Sequence, residues 1–108
     1  MIPQITVHQL AEKLAAGEPV YLLDVRQPEE HAIAALPDST LIPLGELPGR
    51  IGDVNPRAGA LVVVYCHHGI RSLTGTHLLQ QAGFEPAASL AGGIDAWSRL
   101  VDPAVPRY

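Results

Sequence analysis

An α/β fold, with helices on both faces of a central, mostly parallel sheet of about five strands, follows from three observations on this 108-residue chain. The runs Val20-Tyr21-Leu22-Leu23-Asp24-Val25 and Leu61-Val62-Val63-Val64-Tyr65 are almost wholly apolar and show no polar alternation, the mark of strands buried on both faces. Segments of helical periodicity separate the short strands, so crossovers rather than hairpins join them. Glycine and proline stand at the joints, at Gly17, Pro19, Pro37, Gly59 and Gly83.

Thr6-Val7-His8-Gln9 fits a capping box, and Val7, Leu10, Ala11, Leu14 and Ala15 recur at helical spacing until Gly17, which predicts a first helix over residues 6–16. After Pro19, residues 20–25 form a central strand with Asp24 at its carboxyl edge. Pro28 at a first helical position, with Glu29 and Glu30 in the first turn, marks a short helix over residues 28–33 that Pro37-Asp38-Ser39 breaks. Residues 40–42 are expected to be a brief strand and 44–50 a single helical turn. Asp53, Asn55, Pro56 and Gly59 then signal a loop leading into the second apolar run. The next helix covers about residues 72–82, turning Leu73, Thr76, Leu78 and Leu79 inward, with Gly83 as its C-cap. Residues 87–90 are a further strand, Gly92-Gly93 a turn, and 94–100 a last helix anchored in the core by Trp97. The tail, residues 102–108, carries two prolines and is expected to be extended.

The length fits one domain over residues 1–108, able to bury roughly two-thirds of its unfolded surface without a disulfide or metal staple. Hydrophobic residues make up 47% of the chain and the net charge is −4, which together exclude a disordered chain. The mild acidity argues against a nucleic-acid surface or an anionic membrane. No 18-residue apolar stretch occurs, and residues 1–20 lack the basic start and apolar block of a leader peptide, so a cytoplasmic protein is expected. The composition leaves oligomeric state open.

Chemistry concentrates in Tyr65-Cys66-His67-His68-Gly69-Ile70-Arg71-Ser72. Cys66 is the only cysteine and falls at the carboxyl end of a buried strand, directly before a helix. Ser72 is placed to cap that helix, so the backbone N–H groups of residues 67–72 can converge on one point. A helix N-terminus attracts anions, and with Arg71 nearby this is the setting that favours a thiolate. Cys66 is therefore the candidate nucleophile, although a buried cysteine in an arbitrary chain is more often a small hydrophobe. An arginine at a helix start opposes the helix dipole, which makes Arg71 a candidate anion ligand rather than a solvated surface charge. His67 and His68 are expected to add donors or partial positive charge, or simply to be exposed loop residues. With Cys66 they do not form a metal site, because adjacent side chains diverge and no further ligands have the spacing for tetrahedral zinc. Asp24 and Arg26, at the neighbouring strand's end, either orient this loop or pair with nearby charges such as Glu30.

Taken in order, Leu22-Leu23-Asp24-Val25-Arg26 with Glu29-Glu30, Ile42-Pro43-Leu44, the segment from Val64 to Ser72, and Leu90-Ala91-Gly92-Gly93-Ile94-Asp95-Ala96-Trp97 resemble the single-domain rhodanese (thiosulfate sulfurtransferase) family over nearly the whole chain. Where that family usually carries Gly-His-Ile-Pro-Gly-Ala, this chain has Ala34-Ala35-Leu36-Pro37-Asp38-Ser39, with no histidine. The resemblance implies a rhodanese-like three-layer sandwich. It also implies that Cys66 attacks the outer sulfur of a donor such as thiosulfate, becomes a persulfide, and passes the sulfur to cyanide, a thiol or a protein acceptor. His67, His68, Gly69, Ile70, Arg71 and Ser72 would bind the small anionic donor, with Asp24 and Arg26 in support. No metal or organic cofactor is implied.

Two rival functions share the resemblance. Phosphatases and arsenate reductases of the same fold look like Cys-x5-Arg, whereas four residues separate Cys66 from Arg71, a tighter loop suited to sulfur. A non-catalytic interaction or sulfur-relay module is the other; loss of the cysteine would favour it, and the cysteine is present.

Overall fold

Side chains of the run Leu61–Tyr65 alternate between two separate cores, which makes this strand the middle of the molecule. The computed structural model describes residues 1–108. Its sheet contains β1 (Gln4–Ile5), β2 (Val20–Asp24), β3 (Thr40–Leu41), β4 (Leu61–Tyr65) and β5 (Ala87–Leu90) in the order β1-β5-β4-β2-β3, with every neighbouring pair parallel. Val63 and Tyr65 of β4 join Leu22 and Leu90 under α1 (Val7–Ala15) and α4 (Gly93–Leu100). Val62 and Val64 join Leu23, Val25 and Cys66 under α3 (Arg71–Gln81) and the 3-10 segment Leu44–Asp53. Each fully buried aliphatic side chain contributes roughly 1.5–3 kcal/mol, so the two cores hold β4 from both sides.

Most elements fall where the residue pattern places them. Thr6 caps α1 with a full capping box to Gln9, and α2 (Pro28–Ile33) begins on its proline. The departures are local. Strand β1 is a two-residue edge strand that pairs Gln4 with Ser89 and Ile5 with Leu90, too short to leave a periodic signal. The single turn expected at residues 44–50 is a 3-10 segment running on to Asp53, kinked at Arg50. Leu73 and Leu78 of α3 are half-buried; Ser72, Gly75, Thr76 and Leu79 face the sheet. Gly75 lets α3 lie close: a Cβ there would come within 3.1 Å of a Val64 methyl and 3.4 Å of a Val25 methyl.

The tail is not simply extended. Asp102 accepts the Val105 N–H in a turn, Val105 is buried in the α1/α4 core, and Ser98 donates its hydroxyl to the Val105 carbonyl at 2.6 Å. This returns Tyr108 to the carboxyl ends of the strands. No helix is long and apolar enough to cross a membrane.

Candidate active site

Strand β4 ends at Tyr65, and Cys66 follows it into a tight loop that leads directly into α3. Its thiol is 1% exposed and lies at the α3 N-terminus. Gly69 donates its backbone N–H to Sγ at 3.2 Å and Ser72 donates its own at 3.4 Å. Ser72 is thus not the helix cap that its position suggested. It lies inside α3, the N-cap is Ile70 without a side-chain bond, and the sulfur itself accepts a free helix N–H. The Ser72 hydroxyl accepts from the thiol at 3.5 Å and sits 2.7 Å from the Ser89 hydroxyl, forming a buried polar chain from Sγ to the middle of the sheet.

The outer side of the loop is fixed by the turn before α4. Ile94 donates its N–H to the Cys66 carbonyl at 2.9 Å, and Asp95 donates to the His67 carbonyl at 3.0 Å. With the carbonyls engaged on that side, loop N–H groups are left to face the sulfur. Both partners of this contact are glycines with positive φ: Gly69 packs on the Gly92 nitrogen, and Gly93 packs on the Cys66 and His67 carbonyls. Gly92-Gly93 is turn chemistry, as expected, and it also buttresses the loop.

Asp24 and Arg26 form a buried pair beside the loop. Arg26 donates from Nε to Asp24 Oδ1 at 2.9 Å and from a terminal nitrogen to Oδ2 at 2.7 Å, and both residues are fully buried. Burial works against the Arg26 charge, but the bonds to Asp24 and Tyr108 more than offset it and leave the guanidinium more firmly protonated than usual. The same guanidinium donates to the Ala34 carbonyl, and His31 Nδ1 lies 2.8 Å from Asp24. The pair therefore ties α2 and its exit to β2. Its route to the Cys66 loop runs through Tyr108, whose hydroxyl accepts from Arg26 at 2.7 Å and whose ring stacks on His67 at 4.0 Å.

Arg71 lies within electrostatic reach of the sulfur, but its fork is occupied. Its two terminal nitrogens donate to Glu30 Oε1 at 2.7 Å and Oε2 at 2.9 Å. That bidentate pair is the main reason the Glu30 carboxyl is lowered to about 2. Partial burial, and then His68 beside it, lower the His67 pKa. His68 turns outward to Asp95, 3.8 Å away, and Ile70 stands 73% exposed at the loop apex.

His67, His68 and Asp95 bring ligand atoms within 4.8 Å of one another, but Asp95 already pairs with Arg99 and Arg107, so a cation would compete with two guanidinium groups. The largest surface cleft, about 590 Å³, is lined by Gln4, Glu12, Lys13, Leu61 and Ala88 at the amino end of β4. It lies opposite the thiol and holds none of these groups. The loop residues from Cys66 to Ser72 are thus brought together as expected. Glu30, Ser89, Gly93 and Tyr108 join them without having been assigned a part in the site. Ser89 carried a signal, being a polar residue inside an apolar strand; Tyr108 carried none.

The chain matches the rhodanese-like domain family over residues 6–100 and belongs to that family. It is 35% identical to a sulfurtransferase of Allochromatium vinosum over 105 residues, covering 97% of this chain and 96% of that protein. It is 34% identical to the adenylyltransferase and sulfurtransferase MOCS3-1 of Zea mays, covering 97% of this chain but only 24% of that longer protein. Among solved structures, the human single-domain sulfurtransferase TSTD1 superposes with a TM-score of 0.78 at 28% identity, covering 93% of this chain and 98% of that one. This kinship supports sulfur transfer in general, within the transferase class.

Proposed function

We propose that this protein takes sulfane sulfur from thiosulfate or a similar donor as a persulfide on Cys66 and hands it to a thiophilic acceptor such as cyanide or a thiol. One observation carries the reading. The Cys66 sulfur accepts two backbone N–H groups, from Gly69 and Ser72, at the open end of α3. Donors fixed at that point stabilise negative charge on sulfur before and after transfer. With thiosulfate, the thiolate attacks the outer sulfur, a Cys66 S–S bond forms, the donor S–S bond breaks, and sulfite leaves with its electron pair. The acceptor then attacks the outer sulfur and returns the thiolate. Four residues separate Cys66 from Arg71, one fewer than in the Cys-x5-Arg phosphatases of the same fold, which supports this reaction over phosphoryl chemistry. The exposed Ile70 gives an acceptor an apolar rim to approach.

Intact-mass measurement after thiosulfate treatment tests the reading. One added sulfur atom, removed by cyanide or a reductant and missing in Cys66→Ser, is the expected result. Failure of thiosulfate and a thiol persulfide alike to add the sulfur to the unmodified protein, or its persistence in Cys66→Ser, would overturn it.

A further inference from the structure

We propose that the Glu30 carboxylate, seated in the Arg71 fork and locked there by Tyr108, sets donor choice: the loop takes sulfur from thiol persulfides and discriminates against thiosulfate. The inference rests on Cys66 persulfide formation as described above and adds the substrate class.

Arg71 would be the natural ligand for the sulfonate end of thiosulfate, and that role is already filled from within the chain. Each terminal nitrogen of its fork gives one N–H to Glu30, at 2.7 and 2.9 Å, in the planar arrangement that an oxyanion would need. Glu30 is itself fixed. Oε1 accepts the Gln27 N–H at 3.0 Å at the start of α2, and Oε2 accepts the Tyr108 hydroxyl at 2.9 Å. Tyr108 is held in turn by Arg26 at 2.7 Å and by its stack on His67. Releasing Arg71 to a donor means dismantling this set of contacts. Acid does not release it within the physiological range, because the Glu30 carboxyl is lowered to about 2.

Other cations around the loop are committed as well. Arg26 is buried against Asp24, and Arg99 and Arg107 both bind Asp95. What remains to meet a donor is uncharged, the backbone N–H groups of the loop, two of them already on Sγ, with no unpaired guanidinium beside them to balance a sulfonate. The charge balance of the reaction selects the same way. Cys66 thiolate and thiosulfate gather three negative charges in the cradle and release sulfite as a dianion. With a persulfide anion, two negative charges gather: the Cys66 S–S bond forms, the donor S–S bond breaks, and a thiolate leaves with one charge. Like charges crowded without a counter-ion oppose the first reaction more than the second.

The test compares loading of Cys66 by thiosulfate and by glutathione persulfide, followed by intact mass and normalised to the rate of each donor with free cysteine. The persulfide is expected to load faster. Glu30→Gln should raise the thiosulfate rate about tenfold, the factor carried by one freed charge-assisted hydrogen bond, and Arg71→Ala in the Glu30→Gln background should cancel that gain. Melting curves establish that each variant is folded, and Glu30→Asp provides a second, more conservative opening of the clamp. Equal normalised rates for the two donors, or no thiosulfate gain in either folded Glu30 variant, would overturn the inference while leaving Cys66 loading intact. Failure of both donors to place sulfur on Cys66 would instead overturn the sulfurtransferase reading, and this inference with it.

Discussion

Ile94 donates its backbone N–H to the carbonyl oxygen of Cys66 at 2.9 Å, and beside the Asp95 bond to His67 it joins the start of α4 to the loop that carries the thiol. It can form because Gly93 offers no side chain: a Cβ there would stand 2.5 Å from the Cys66 oxygen, on a backbone with φ of 61°. Gly17 has a similar φ of 73° but open space around it. Gly17→Ala should therefore cost only the left-handed backbone penalty, about 1–2 kcal/mol. Gly93→Ala adds a clash with backbone that cannot rotate away, and should cost about 3 kcal/mol or more with loss of sulfur loading. Urea unfolding of both variants checks the difference. Equal stabilities would show that the approach of α4 to the loop is slack.

Ser72 and Ser89 place their hydroxyls 2.7 Å apart in a fully buried setting, with Sγ of Cys66 at the other end of the chain. Removing one hydroxyl leaves the other with a broken partner, whereas removing both replaces the pair by apolar surface. Ser89→Ala should cost about 1–2 kcal/mol, and the Ser72→Ala/Ser89→Ala double variant less than the sum of the singles by roughly 1 kcal/mol. The Cys66 loading rate should fall in Ser72→Ala more than in Ser89→Ala, since only Ser72 reaches the sulfur. A strictly additive cycle would mean that the two hydroxyls act independently.

Much of this architecture was legible in the residues, for identifiable reasons. The two apolar runs could hardly be anything but central strands, and the capping box at Thr6, Pro28 and the glycines at 17 and 83 set helix ends closely. The cysteine loop was visible because a lone thiol, a glycine and an arginine crowd between a buried strand and a helix. What the sequence hid is mostly long-range. Glu30 and Arg71 are 41 residues apart, and Tyr108 reaches Arg26 across 82. Local patterns carry no trace of such pairs. Arg71 was legible as an anion ligand, but its anion in this structure is a side chain of the same protein. Ser72 looked like a cap because its type suits one; the sulfur of Cys66 takes the helix N–H instead. The tail looked extended from its prolines, and burial of Val105 turned it back over the site.

Glu30 also predicts an acid dependence. Its carboxyl falls from an ordinary 4.5 to about 2, chiefly through Arg71, with burial opposing and Gln27 and Tyr108 assisting. A carboxyl with a depressed folded-state pKa contributes stability that is present above its unfolded value and lost as pH falls toward the folded one. The window is therefore from 4.5 down to about 2. Because the Arg71 side chain is 36% exposed and Glu30 20%, solvent screening limits the contribution to roughly 1 kcal/mol. Urea midpoints measured across that window should decline less steeply in Glu30→Gln than in the unmodified protein. Parallel declines would place the acid sensitivity elsewhere.

Tyr108 separates two roles that one side chain combines. Its ring lies on His67 at an interplanar angle of 9°, and its hydroxyl bridges Arg26 and Glu30. Tyr108→Phe keeps the stack and removes the bridge, so a hydrogen bond between charged partners is lost at a cost of about 1–2 kcal/mol. Tyr108→Ala removes the stack as well and should cost about 1 kcal/mol more. In a chain of this size each kcal/mol lowers Tm by about 4–8 °C, so three melting curves resolve the series. The hydroxyl accepts from Arg26 while donating to Glu30, which means its loss also loosens the carboxylate in the Arg71 fork. Tyr108→Phe should accordingly move thiosulfate loading in the same direction as Glu30→Gln, by a smaller factor. A variant that melts lower yet loads thiosulfate at the original rate would show that Tyr108 anchors the tail without locking the clamp.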